Sequence, residues 1–170
     1  MQRRDFSYTE FLRAELIGGE LIPKAVKKPP HVHCLWRLRH WAANSFGADF
    51  INTQCPMDVS PEDNCTNEPE PDLIVLTRST FEITENNPKP SEIRLVVEIA
   101  VSTDLKTKAA LYARAGIREF WIVDINERLL IVHRDPQPSG KFKYVMSFTE
   151  GETAVLSSEP PAELLVGDLF

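Results

Sequence analysis

The chemistry this sequence can offer rests on three residues, Asp72, Glu98 and Lys108. Residues 93–99 form an apolar, β-branched run of the kind that makes a strand covered on both faces, with one carboxylate, Glu98, close to its end. An ionised carboxylate at the edge of a core costs several kcal/mol unless a cation or a set of donors satisfies it, so Glu98 calls for a metal or a lysine. Asp72 stands at the entrance of a second short apolar run, 73–76, behind Pro71, where a proline does not break a ladder. At about 100° per residue, Leu105, Lys108, Ala109, Leu111, Tyr112 and Ala115 share one helical face, while Lys106, Ala110, Ala113 and Arg114 fall on the other. Lys108 can therefore lay its stem along an apolar stripe and carry its ammonium to the rim of the sheet, whereas Lys106 is expected to point into water. Mg2+ (or Mn2+) is a hard cation that two carboxylates, Asp72 and Glu98, and one backbone carbonyl, that of Ile99, can hold while open positions meet a phosphate. Such a metal polarises the phosphoryl oxygen and lowers the pKa of a bound water, and the lysine orients that water and stabilises developing charge. The same residues also admit an account without catalysis, in which Asp72 caps a turn and Glu98 pairs with Lys108.

These side chains need a strand, a helix and a second strand to position them, and residues 91–126 read in that order. Asp104 lies one turn before Lys108, Gly116 is a helix stop, and residues 118–124 return as the second strand. Upstream, residues 7–14 read as a short helix with Ser7 or Thr9 as its cap, and residues 15–22 as a tight hairpin. The Gly18-Gly19 pair supplies the positive φ angles of the turn, with Glu15 and Glu20 on its flanks. Lys27-Lys28-Pro29-Pro30 is a break. Val32, Leu35, Trp36, Leu38, Trp41 and Ala42 then mark an apolar-rich helix that ends near Gly47 and carries His33 and His40, read as hydrogen-bonded structural histidines. Residues 49–59 read as a strand running into a polar loop, 60–70, and residues 84–91 as an exposed connection. Strands are expected at 129–133, 142–148 and 153–156, with a hairpin at 136–140. No internal repeat is present.

A chain of 170 residues, 42% hydrophobic and 26% charged, suffices for one well-cored domain, expected to span residues 1–170. No run of about eighteen apolar residues occurs, and the first residues lack an apolar secretory core, so a cytoplasmic protein without membrane partners is expected. Cys34, Cys55 and Cys65 are read as reduced thiols; a zinc site from them with His31 and His33 is conceivable, though its spacing is irregular. The net charge of −6 argues against a general nucleic-acid coat. Its distribution is uneven: residues 1–41 hold eight basic against four acidic residues, and residues 49–92 ten acidic against two basic. The basic end is either a face for a polyanion or ordinary solvated surface.

Pro71-Asp72, the run Val96-Val97-Glu98-Ile99, Ser102-Thr103, the spacing Asp104-x-x-x-Lys108-x-x-x-Tyr112, and Ala115-Gly116-Ile117-x-Glu119-Phe120-Trp121-x-Val123-Asp124 together resemble the large bacterial restriction-endonuclease family within the PD-(D/E)xK superfamily. The hairpin around Gly19, a histidine near the start of the first long helix and the terminal Gly167-Asp168-Leu169-Phe170 also fit that family, so the resemblance covers most of the chain. It implies an α/β, restriction-endonuclease-like core with a mixed sheet flanked by helices, divalent-metal binding and hydrolysis of phosphodiester bonds in nucleic acid, DNA foremost. Asp72, Glu98 and Lys108 would then be the catalytic residues. Three departures accompany it. The superfamily's usual lysine position, two residues after the second acid, is Ala100, and the lysine comes instead from the helix, as this family's pattern generally has it. Thr103 abuts Asp104 where a few residues usually intervene, which shortens the turn beyond Glu98. Gly18-Gly19 replaces an Asp-Gly, leaving Glu15 or Glu20 as the accessory acid, with Asp104 and Tyr112 as further accessory residues. Cutting a duplex takes two sites, so a two-fold homodimer is expected, with Trp36 and Trp41 as exposed apolar candidates for its face. The competing class is a nuclease fold that has lost catalysis and serves as a nucleic-acid-binding or protein-interaction module.

Overall fold

The computed structural model of the chain describes residues 14–24, 26–100 and 105–170. The expected helix at 7–14 and Asp104 lie outside them, except for Ala14, which opens a strand instead. In chain order the elements are β1 (Ala14–Ile17), β2 (Glu20–Pro23), α1 (Pro29–Phe46), β3 (Ile51–Asn52), a single turn α2 (Pro61–Asn64), β4 (Leu73–Leu76), β5 (Ile93–Ala100), α3 (Lys106–Arg114), β6 (Glu119–Asp124), β7 (Leu129–Gln137), β8 (Lys141–Thr149), β9 (Thr153–Leu156) and β10 (Ala162–Leu165). Six strands form one mixed sheet in the order β3-β4-β5-β6-β7-β8, while β1-β2 and β9-β10 are separate two-stranded sheets. Among the described residues only β5 and β6 run parallel, Glu98 standing opposite Ile122, and the connection that parallel neighbours require carries α3.

Alternation along the central strands sends side chains to two cores. Leu73, Val75, Leu95, Val97, Trp121 and Val123 pack with Cys34, Leu38 and Ala42 of α1. Ile74, Leu76, Val96 and Phe120 face the other way, onto Tyr112 of α3. Glu98, two residues after Val96, shares its face and therefore points toward α3. The mixed sheet with flanking helices expected from the resemblance is the architecture observed.

Several details differ from the sequence reading. The strand expected at 49–59 shrinks to Ile51–Asn52, because Gln54 takes a positive φ of 55° and its N–H turns to the Pro71 carbonyl at 3.0 Å, which ends the ladder. The long helix begins at Pro29, since a proline in the first turn has no intrahelical N–H to lose. Ala113, assigned to the outward face of α3, is buried, and Ile122, expected from its place in an apolar central strand to be buried with Val96, Val97, Ile99 and Val123, is only partly so. The β7–β8 hairpin explains Ala113: it passes so close that a Cβ on Gly140 would meet the Ala110 carbonyl at 3.4 Å, so α3 is covered on more than its sheet side. β9 does not join the main sheet but pairs with β10, a strand the sequence reading left out, and lays Ala154, Leu156 and Leu164 into the α1-side core.

Candidate active site

The antiparallel register of β4 and β5 pairs Leu73 with Val97, which sets Asp72 opposite Glu98 at the end of the ladder. Asp72 closes that end with its side chain: Ile99 N–H donates to its Oδ2 at 2.9 Å. His31 Nε2, from the first turn of α1, lies 3.2 Å from the same oxygen, and Lys27 Nζ lies 3.3 Å from Oδ1. Burial would push the Asp72 carboxyl up, but the bond and charge of His31, the Ile99 N–H and Lys27 together outweigh it, and the group titrates below the usual aspartate value. Asp72 is a carboxylate at any physiological pH.

Glu98 is buried, and its Oε1 accepts hydrogen bonds from Lys108 Nζ and from the Tyr112 hydroxyl, both at 2.8 Å. Lys108 Nζ also meets Glu15 Oε2 at 2.8 Å, so the lysine bridges two acids, one from β5 and one from the β1-β2 hairpin. Glu15 is itself held by the Glu70 N–H at 3.1 Å. The hairpin turn is pinned as well: Gly18 N–H donates to Asn67 Oδ1 and Gly19 N–H to the Thr66 carbonyl, each at 2.8 Å, with both glycines at positive φ. Burial raises the Glu98 carboxyl most; the Lys108 ammonium opposes this, while Asp72 and Glu15 add to it, and the net direction is upward. Burial disfavours the Lys108 ammonium, but Glu98 and Glu15 more than compensate and hold it above the ordinary lysine value. The Tyr112 hydroxyl is raised well above the usual tyrosine value, first by burial and then by Glu98.

Asp72, Glu98, Lys108, Glu15, Tyr112 and the Ile99 backbone thus form one cluster. Glu20 is exposed at the start of β2. Lys106 is exposed at the start of α3 and lines a neighbouring cleft of about 490 Å³ with Thr66, Asn67 and Arg114. Lys27 was not read from the sequence as a site residue, and His31 was read only as a donor of a conceivable zinc site. The signal for His31 was present, since it precedes Cys34, Leu35, Leu38 and Ala42 by three, four, seven and eleven residues and so shares the buried stripe of α1. Of the conceivable zinc donors, Cys34 is buried within α1 and Cys65 is exposed beside α2, so they are not gathered. Among the described residues, no group of three or more His, Cys, Asp or Glu side chains is gathered in metal-binding fashion. A two-carboxylate site asks less. Asp72, Glu98 and the Ile99 carbonyl offer only oxygen, the donor that Mg2+ and Mn2+ prefer; the Glu98 carboxyl is pushed up first by burial and then by Asp72 and Glu15, and a cation would relieve the repulsion between these acids.

Residues 7–166 match the family model described as "Uma2: Putative restriction endonuclease". The chain belongs to this family. No curated protein matches it. Among solved structures, a crystal structure described as a putative nuclease belonging to DUF820, from Anabaena variabilis ATCC 29413, has the same fold. The TM-score is 0.69 at 18% identity, and the match covers 92% of this chain and 89% of that one. Within the Uma2 frame, Ala100 at the end of β5 holds the position where the wider superfamily keeps its lysine, while Lys108 brings an ammonium to Glu98 from the helix. No helix among the described residues is long and apolar enough to cross a membrane.

Proposed function

We propose that this Uma2-family chain is a single-domain, cytoplasmic, Mg2+- or Mn2+-dependent endonuclease that hydrolyses phosphodiester bonds of DNA. The observation that carries the reading is Asp72 and Glu98 side by side at the end of the β4–β5 ladder, with Lys108 Nζ 2.8 Å from Glu98. Asp72, Glu98 and the Ile99 carbonyl would hold the metal, which when bound polarises the phosphoryl oxygen and acidifies a water. Asp72 stays ionised through its bonds to His31, Lys27 and the Ile99 N–H. Lys108, held above the ordinary lysine value, stays an ammonium at neutral pH. It therefore acts as a donor that orients water and stabilises negative charge on the phosphate, not as a general base. Tyr112 keeps its proton and fixes the Glu98 rotamer, and Glu15 positions Lys108. A homodimer, with one site for each strand, is the assembly that duplex cleavage asks of a chain with one such cluster. Trp41 gives no motive for it, since its ring stacks on Trp121 and its Nε1 donates to the Glu163 carbonyl at 2.7 Å.

Asp72→Asn and Glu98→Gln are expected to abolish both Mn2+ binding and cleavage of a plasmid or oligonucleotide. Lys108→Met abolishes cleavage and keeps or slightly improves metal affinity, because a nearby positive charge is gone, and Lys106→Met changes neither. Cleavage that survives Lys108→Met sinks the assignment. One observation favours a second reading, a non-catalytic binding module: each acid is already satisfied by side chains, Asp72 by His31 and Lys27, and Glu98 by Lys108 and Tyr112. A metal titration separates the two, because a degraded site binds Mn2+ no better than its Asp72→Asn variant does.

A further inference from the structure

Residues 24–48 form a basic island in an acidic chain. They hold five lysines and arginines and three of the four histidines, with no aspartate or glutamate, while the whole sequence carries a net charge of −6; Lys24 and Lys27 are already paired with Glu70 and Asp72, which lie outside the stretch. Most of this island is α1, whose two ends of interest are its first turn and its outer face. The first turn reaches the cluster described above through His31. The outer face, opposite Cys34, Leu38 and Ala42, carries an aromatic shelf. The Trp36 and His40 rings are parallel to within 1°, with centroids 5.5 Å apart. Asn44, one further turn along, donates from Nδ2 to His40 Nε2 at 3.1 Å and braces the imidazole. Trp36 remains 65% exposed. An indole held flat by a braced neighbour, with its other face in water, has already lost the rotamer freedom that a binding partner would otherwise have to remove.

We infer that the Trp36–His40 shelf stacks on an unpaired base of a nucleic acid whose backbone runs to the Asp72–Glu98–Lys108 cluster, making single-stranded or locally unpaired nucleic acid the substrate class. This rests on the nuclease reading for its position, though its test does not. Charge selects the occupant. A second copy seated on this face would bring the Arg39 of both copies together with no acid on either helix, whereas a polyanion complements that charge. An aromatic face beside cations is the arrangement that holds unpaired bases, because every base has a π-face and a base inside a duplex does not present it. Trp36 follows His31 by five residues, about 7.5 Å along the helix axis at 1.5 Å per residue, and faces away from it, so the strand must pass round α1 to reach the cluster.

The test measures affinity for a fluorescent twelve-nucleotide single strand and for its fully paired duplex, in EDTA so that no cleavage occurs. The wild-type chain is expected to prefer the single strand, with quenching of its tryptophan fluorescence. Trp36→Ala lowers single-strand affinity roughly 5- to 150-fold, the range of one lost base stack. Trp36→Phe keeps most of the affinity but loses the quenching, an outcome that misfolding would not give. Phe81→Ala, at another aromatic side chain that is 75% exposed, changes nothing. Equal affinity of Trp36→Ala and wild type overturns the inference, as does failure of the wild type to bind the single strand. Sedimentation that falls from dimer to monomer in Trp36→Ala also overturns it, by making this face an interface between copies. Intact binding without cleavage in Mg2+ would instead remove the nuclease reading and leave the shelf standing.

Discussion

Lys108→Met isolates how the cluster is held together. In the native chain one ammonium lies 2.8 Å from two carboxylates, and the three side chains are between 8% and 12% exposed. Methionine fills the volume of the stem but leaves Glu15 and Glu98 facing each other without a cation. Removing one partner of a buried ion pair costs about 3–5 kcal/mol, because the remaining charge has lost both water and its counter-ion. The loss should depend on pH. Glu98 is already raised above 4.5, and the substitution removes the one charge that pulls it down. A carboxyl raised in the folded state contributes stability that is complete below its unfolded pKa and is lost as pH rises through the folded value. The variant is therefore worst at pH 8, and its deficit shrinks as pH falls toward 4.5. Urea unfolding at pH 8 and pH 5, read by circular dichroism, measures this directly. Adding Glu98→Gln to Lys108→Met should recover part of the stability at pH 8 by removing one of the stranded charges. Mn2+ at about 100 times its dissociation constant should return about 2.7 kcal/mol if the cation binds the folded chain alone. A deficit below about 0.5 kcal/mol at pH 8, or one equal at both pH values, would refute the account of a lysine that neutralises two buried acids.

Three further outcomes follow from the same geometry. Tyr112→Phe keeps the ring against Phe120 but removes a donor to a buried carboxylate, so thermal or urea unfolding should show a loss of about 1.5–3 kcal/mol. His31→Ala removes the group that orients Asp72, and Mn2+ affinity by calorimetry should fall about 10- to 100-fold with little change in far-ultraviolet circular dichroism. Val97→Ala, at a fully buried position in β5, should cost about 1–3 kcal/mol in urea unfolding without altering metal affinity.

The centre of the fold was legible because β5 and β6 are covered on both faces, so their central positions are apolar and the single acid of β5, Glu98, stands out. The helix between them was legible for the opposite reason: Lys108 interrupts a stripe that is otherwise apolar. What failed had tertiary causes. Residues 51–52 pair with β4, but their neighbours are drawn into a turn by the Pro71 and Asp72 carbonyls, which no local pattern announces. β10 is four residues long behind Pro160 and Pro161, with its buried positions set by a distant partner, β9. Ala113 is buried by the hairpin of β7 and β8, which closes over α3 from far along the chain. His31 and Lys27 reach Asp72 only because α1 lies across the end of β4, so their role depends on packing between segments that the sequence keeps apart.

The parallel pairing of β5 and β6 has a consequence for how the protein fails. Parallel strands oblige the chain to cross over, and here the crossing segment is α3, which carries Lys108 and Tyr112 to Glu98. The segment that completes the sheet is thus the one that completes the cluster. A partly opened chain, in which β6 has left β5 and α3 has lifted, keeps both acids in place at the end of the β4–β5 ladder yet withdraws both side-chain donors of Glu98. The cluster is therefore an internal gauge of tertiary integrity: an opening that reaches α3 takes it apart even while the acids on β4 and β5 remain paired. A chain still emerging from synthesis has all of these side chains before β6 exists to hold α3 down, and assembles the cluster only when the sheet closes.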